Sequence, residues 1–146
     1  MQQGIIEKNH MDILWHDYAL NKEDTIPITK AGLIEKASVV GRCGMMLLPC
    51  GTGAWRVRSS MNTLSRELGI TCTADIGLMS IEYTCFDGEN CFSQSLCLTN
   101  TGVNTSKLNR LENFINDFPT KEKYLSGEQI HSYLDEIEQI HGLFQL

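Results

Sequence analysis

A chain of 146 residues is long enough to bury about two thirds of the surface its unfolded form would expose, so a disulfide scaffold is not required. Apolar residues at 42% against charged residues at 21%, with only 12 Gly and 3 Pro, exclude a disordered or collagen-like chain. The net charge of −6 has the wrong sign for gripping phosphate backbones and argues against a nucleic-acid partner.

The N-terminal Met1-Gln2-Gln3-Gly4-Ile5-Ile6-Glu7-Lys8 lacks the basic start and long apolar centre of a secretory signal, so cytosolic exposure is expected. The six cysteines (Cys43, Cys50, Cys72, Cys85, Cys91 and Cys97) are then expected as reduced thiols. Residues 1–28 read as a polar lead-in. Met11, Leu14, Trp15 and Tyr18 fall three or four apart within it, the spacing of a short amphipathic docking helix. Ile26-Pro27-Ile28 interrupts it, because proline removes a donor and biases its predecessor away from the helical region. A junction is placed there, and residues 29–146 are taken as the domain.

Thr29 is positioned to cap a helix whose apolar face reads Leu33, Ala37, Val40, Gly44 and Leu47 or Leu48, ending at Pro49-Cys50-Gly51. Its small residues Ala37, Gly41 and Gly44 are expected to admit the next helix closely. That second helix, from about Thr52 to Leu68, carries Ala54, Val57, Met61, Leu64 and Leu68 on one face and is followed by Gly69. The period then changes to two. Ile70 to Ile76, Met79 to Cys85 and Cys91 to Leu98 alternate as half-buried strands, with Asp87-Gly88 marking a hairpin. After a loop, Asn104 is the expected cap of a helix bearing Leu108, Leu111, Phe114, Ile115 and Phe118, which stops before Pro119. Ser126-Gly127-Glu128-Gln129 matches a capping box opening a last helix with Ile130, Leu134, Ile137 and Ile140 inward. The order predicts a two-layer α+β domain, a three-stranded antiparallel meander covered by about four helices.

The chemistry on offer is sparse. The cysteines contain no C-x-x-C, and His10, His16, His131 and His141 lack zinc spacing, so no metal and no cofactor is assigned. No G-x-S-x-G or phosphate-binding glycine motif occurs, so no catalytic residue is assigned and enzymatic activity is left open. Asp135, Glu136 and Glu138 read as a solvated helix face rather than an acid/base pair. Cys50-Gly51-Thr52-Gly53, with Arg56 and Arg58 close behind, opens a helix where backbone N–H groups and guanidinium groups can receive an anion. The plainer alternative is that Gly51 and Gly53 only turn the chain between two packed helices.

Leu47-Leu48-Pro49-Cys50-Gly51-Thr52-Gly53-Ala54-Trp55-Arg56-Val57-Arg58-Ser59-Ser60-Met61 resembles the pattern of the threonine/serine exporters, in the soluble region that precedes their membrane helices. Gly51, Trp55, Arg56, Val57, Ser60 and Met61 match in register. Thr73 to Ser80, Leu108 to Phe118 and Ser126 to Ile140 resemble the family's strand segment and closing helices. The chain departs from the family by having Gly53, Arg58 and Ser59 where acidic residues are usual, so any coupling role of those acids is expected to be lost or changed. The resemblance implies a head on the cytoplasmic side of the cell membrane, with a regulatory or assembly role in exporting threonine/serine-type small amino acids. Membrane helices are expected after Leu146, or on a partner subunit, and a homo-oligomer is compatible with it. It also implies a ligand or coupling site at Gly51, Thr52, Gly53, Arg56, Arg58 and Ser59, with Arg56 mattering more than Arg58. The alternatives are a cytosolic hydrolase-like or small-ligand-binding α+β domain and a free-standing interaction module.

Overall fold

The computed structural model of the chain describes residues 12–19, 26–98 and 104–139, and the backbone alone of residues 7–9. Strand β1 (Glu7–Asn9) precedes helices α1 (Leu33–Leu47) and α2 (Ala54–Glu67). Strands β2 (Thr71–Ile76), β3 (Ser80–Phe86) and β4 (Cys91–Cys97) follow, and α3 (Leu108–Asp117) and α4 (Gly127–Glu138) close the order. The three expected strands form the antiparallel meander, Cys72 opposite Cys85 and Tyr83 opposite Gln94. This is the α+β arrangement anticipated from the alternation. The sheet gains a strand that periodicity did not reveal, because β1 pairs parallel with β4 and the order is β1-β4-β3-β2. Three residues are too few to show a period.

Ile81, Tyr83, Cys85 and Leu96 turn inward and are buried, whereas Thr71, Thr73, Asp75, Glu82 and Ser93 are exposed on the opposite face. The helices therefore cover one face, as a half-solvated antiparallel sheet requires. At the β3–β4 turn Gly88 has φ 100°, and the Asp87 carboxylate accepts the N–H groups of Glu89 and Asn90.

Helix α1 is the centre of the packing. It touches β3, β4 and the other three helices, and every residue from Ala37 to Leu47 is buried. A helix enclosed on all sides has no solvent face for its polar residues, and Ser38 and Arg42 are buried with the rest. The small stripe was expected to receive the next helix. Gly41 instead faces the Tyr83 ring of β3, and Gly44 faces both Met61 of α2 and Ile81 of β3. Tyr83 uses the room at Gly41 to donate its hydroxyl to the Ala37 carbonyl at 3.1 Å.

Boundaries moved where tertiary burial outranked local capping. Thr29 does not cap α1: residues Ile28–Lys30 form a 3-10 turn, and the helix starts from Gly32 with no side-chain cap. Ile28 is wholly buried, and its N–H bonds the Leu125 carbonyl at 2.7 Å, which holds the turn. Asn104 likewise caps no helix; its side chain accepts from Ser106 in the turn before Lys107, the N-cap of α3. In the lead-in, Trp15–Tyr18 is a 3-10 turn rather than a docking α-helix. Three residues per turn align Trp15 with Tyr18 and leave Leu14 exposed; Met11 lies outside the described residues. Two local signals held without change. Gly69 follows α2 at φ 74°, and Ser126 and Gln129 form the reciprocal capping box of α4.

Candidate functional site

The α1–α2 connection is a 3-10 turn, Leu48–Cys50, followed by two residues that only glycine holds without strain, Gly51 at φ 78° and Gly53 at φ 93°. It faces the β2–β3 turn across a depression of about 510 Å³. Pro49, Gly51 and Gly53 line one side, and Ile76, Leu78 and Met79 the other. The walls are mainly apolar. Trp55 and Leu78, beside it, are 67% and 92% exposed.

Of the six residues expected to form a site, the structure brings Gly51 and Gly53 to the depression and leaves Arg56, Arg58 and Ser59 off its walls. Thr52 is half-buried between the glycines, its hydroxyl oxygen enclosed and without a hydrogen-bond partner among the described residues. Arg56 does not reach back toward Gly51. Its guanidinium lies against Trp55, 5.8 Å from the ring centroid, and donates to Glu112 of α3 at 2.7 Å. Arg58 donates through Nε to the Ala74 carbonyl on β2 at 3.3 Å. This occupies an acceptor on the free edge of the sheet, a common way to blunt a strand edge. Ser59 is exposed on α2. The glycine turn thus shapes a cavity wall, and the two arginines are engaged by protein groups.

A second cluster lies between α1, α4 and the lead-in. Arg42 is 3% exposed and donates to the Asp135 carboxylate at 2.5 Å, to Glu138 at 3.3 Å and to the backbone carbonyl of His131 at 3.1 Å. A buried guanidinium persists only when paired, and α4 supplies both carboxylates. Asp135 and Glu138 are therefore not merely a solvated face. His131, also buried, completes the pattern. Ser38 gives its hydroxyl proton to the Glu35 carbonyl at 2.7 Å, so it accepts from His131 Nε2 at 2.9 Å, and His131 Nδ1 receives Arg42 at 3.2 Å. That assigns His131 the neutral Nε2–H tautomer.

His16 adds a third side to the cluster, hydrogen-bonded through Nδ1 to Glu128 and through Nε2 to Asp135 at 2.7 Å. Burial pulls the imidazole pKa down, but the hydrogen bonds and charges of the two carboxylates outweigh it and the net shift is upward. For Asp135, burial pushes upward, and bonding to Arg42 and His16 outweighs it, leaving the pKa below its usual value. The sequence held no local trace of this network. Its partners are separated by 93 residues for Arg42 and Asp135 and by 119 for His16 and Asp135.

The thiols are mostly packing groups. Burial pushes Cys43 up to about 12 and raises Cys50, and Cys85 is raised by its hydrogen bond to Cys72 and by burial. Among the described residues no helix is long and apolar enough to cross a membrane, and no His, Cys, Asp or Glu cluster is arranged to hold a metal.

Comparison with protein families matches the chain over residues 38–146 to the ThrE family, described as "putative threonine/serine exporter". The comparisons with curated proteins and with solved structures returned no match. The matched region runs from Ser38 in α1 through α4, and so includes both walls of the depression and the Arg42, His131, Asp135 and Glu138 part of the second cluster, but not His16. Covering well over half of the chain, that match makes this protein a member of the threonine/serine exporter family.

Proposed function

We propose that this chain is the head of an exporter of threonine/serine-type small amino acids, lying on the cytoplasmic side of the cell membrane. It works there in assembly or regulation by contacting membrane helices of its own polypeptide or of a partner subunit. One observation carries the reading. Two of the stretches that resemble the family, Leu47 to Met61 and Thr73 to Ser80, are separate in the sequence and meet around one apolar-walled depression. Its exposed Leu78, with Trp55 alongside, offers contact area of the kind that packs against another protein surface.

Threonine efflux from proteoliposomes holding the head together with its membrane helices tests this. Leu78→Asp is expected to lower efflux several-fold while leaving the folded head intact, because Leu78 is almost fully exposed and contributes little to the core. Efflux equal to that of the unaltered protein would refute a contact role for this face.

The small-ligand alternative keeps one supporting observation, the size of the depression, about 510 Å³, within the range of roughly 300–1,000 Å³ common for small-molecule sites. Titrating the head with threonine or serine and following Ile76 and Met79 by NMR separates the readings. Saturable shifts favour a ligand site, and unchanged spectra favour the contact surface.

A further inference from the structure

Residues 12–19 lie as a strap over α1 and α4, held by side chains. The backbone N–H groups of Asp17 and Ala19 bond within the strap itself, to Leu14 and His16. Trp15 is buried, stacked on His131 with centroids 6.1 Å apart and planes at 18°, and the Arg42 guanidinium lies 6.0 Å from its ring centre. Tyr18 accepts from Gln94 at 3.1 Å. His16 joins the strap to α4 through charge, with Glu128 on one ring nitrogen and Asp135 on the other.

We propose that His16 is a pH-responsive latch that fastens residues 12–19 over the buried Arg42–His131 pair. A neutral imidazole has one N–H and one lone pair, so it donates to only one of two ionised carboxylates and turns its lone pair toward the other. An imidazolium donates to both. The geometry at His16, a carboxylate on each nitrogen, is complementary to the charged ring alone. The other groups facing it keep this balance. From α4, His131 stands 5.8 Å away, ring to ring, with its Nδ1 turned to Arg42, which opposes a second proton there. From α1, Arg42 brings a positive charge that is already shared between Asp135 and Glu138, and Glu35 adds a carboxylate against Gly127 at the start of α4. Within the strap, Asp17 adds another negative charge.

The sign follows from linkage. The His16 pKa is raised in the docked strap, so its contribution to holding the strap is complete below the ordinary value of 6.5 and is lost as pH rises through the raised one. Release uncovers Trp15, His131 and the Arg42 guanidinium, a cationic and aromatic cleft between α1 and α4. The latch rests on the strap geometry and stands independently of the exporter reading.

Trp15 reports on the strap once Trp55, the second of the two tryptophans, is replaced by Phe. In the 146-residue chain carrying Trp55→Phe, acrylamide quenching of Trp15 is expected to increase several-fold between about pH 6 and pH 9, with far-UV circular dichroism unchanged. Adding His16→Gln is expected to remove that pH dependence. NMR titration of the His16 ring in the unaltered chain, which needs no variant to fold, is expected to show a midpoint above the ordinary histidine value. Quenching that is flat with pH, a His16→Gln protein with the same rise, or a His16 midpoint at or below the ordinary value would each overturn the latch.

Discussion

Arg42 and Asp135 meet across the α1–α4 interface at 2.5 Å, the arginine side chain 4% exposed and the carboxylate 43% exposed. The asymmetry matters. Asp135 can fall back on water, whereas the guanidinium depends on α4 for its acceptors. Replacing Arg42 by Ala removes a buried packing stem and its bonds to Asp135, Glu138 and His131, and about 3 kcal/mol of stability is expected to go with it. Asp135→Asn leaves Glu138 in place and is expected to cost about 1 kcal/mol. Urea midpoints at constant m-value measure both, and equal costs would contradict the asymmetry.

The two shifted groups predict how stability varies with pH. Asp135 has a folded pKa below its ordinary 3.8, so its contribution is complete above that value and is lost as pH falls through the folded one. His16 acts at the other end, its contribution fading as pH rises through its raised pKa. Thermal midpoints recorded against pH are expected to form a plateau between these limits, and Asp135→Asn to flatten the acid side. An acid limb unchanged by that substitution would assign acid unfolding to other carboxylates.

Two glycines on α1 separate rigid from yielding neighbours. A Cβ on Gly41 would overlap the ring and hydroxyl of Tyr83, which is 2% exposed and fixed by its bonds to Ala37 and Gln94. A Cβ on Gly44 would come within 2.7 Å of the Met61 sulfur, the flexible end of an adaptable side chain. Gly41→Ala is expected to cost about 3 kcal/mol and Gly44→Ala about 1 kcal/mol, the two ends of the range for overpacking. Denaturant titration of the pair checks the order.

Ser126 receives the Gln129 N–H at 3.1 Å while its own N–H reaches the Gln129 side chain at 3.0 Å. Ser126→Ala leaves an unpaired donor at the start of α4 and is expected to cost about 1 kcal/mol. Because α4 carries the carboxylates that hold Arg42 and His16, the same substitution is expected to raise acrylamide quenching of Trp15. A loss of stability without that rise would show that the first turn of α4 frays independently of the strap.

Arg56 and Glu112 are both partly exposed, with side chains 46% and 35% accessible, so their ion pair is worth no more than about 1 kcal/mol. Arg56→Ala is therefore expected to leave the thermal midpoint nearly unchanged. Efflux in the reconstituted exporter is the separate measurement. A loss of transport at constant stability would restore Arg56 as a functional residue, as its match to the family pattern implies, and unchanged transport would leave it as a surface ion pair.

Helix α2, the three-strand meander and the Ser126 capping box were legible in the amino-acid order because each depends on residues within a turn or two of one another. Periodicity at 3.6 or 2, a positive-φ glycine and a reciprocal cap are local physics. A turn at Gly51 and Gly53, one of the two readings that the sequence leaves open there, is local in the same way. Their place on the depression wall was not legible, since the facing wall comes from the β2–β3 turn. Arg42 was hidden inside an otherwise apolar helix, and Asp135 looked like any acid on a polar face. Only the packing of α4 across α1, and of the lead-in across both, decided that these charges would share one interface with His16. Pairings over roughly a hundred residues of chain are selected by the desolvation cost of leaving a buried guanidinium alone, and no window of sequence contains both members of such a pair.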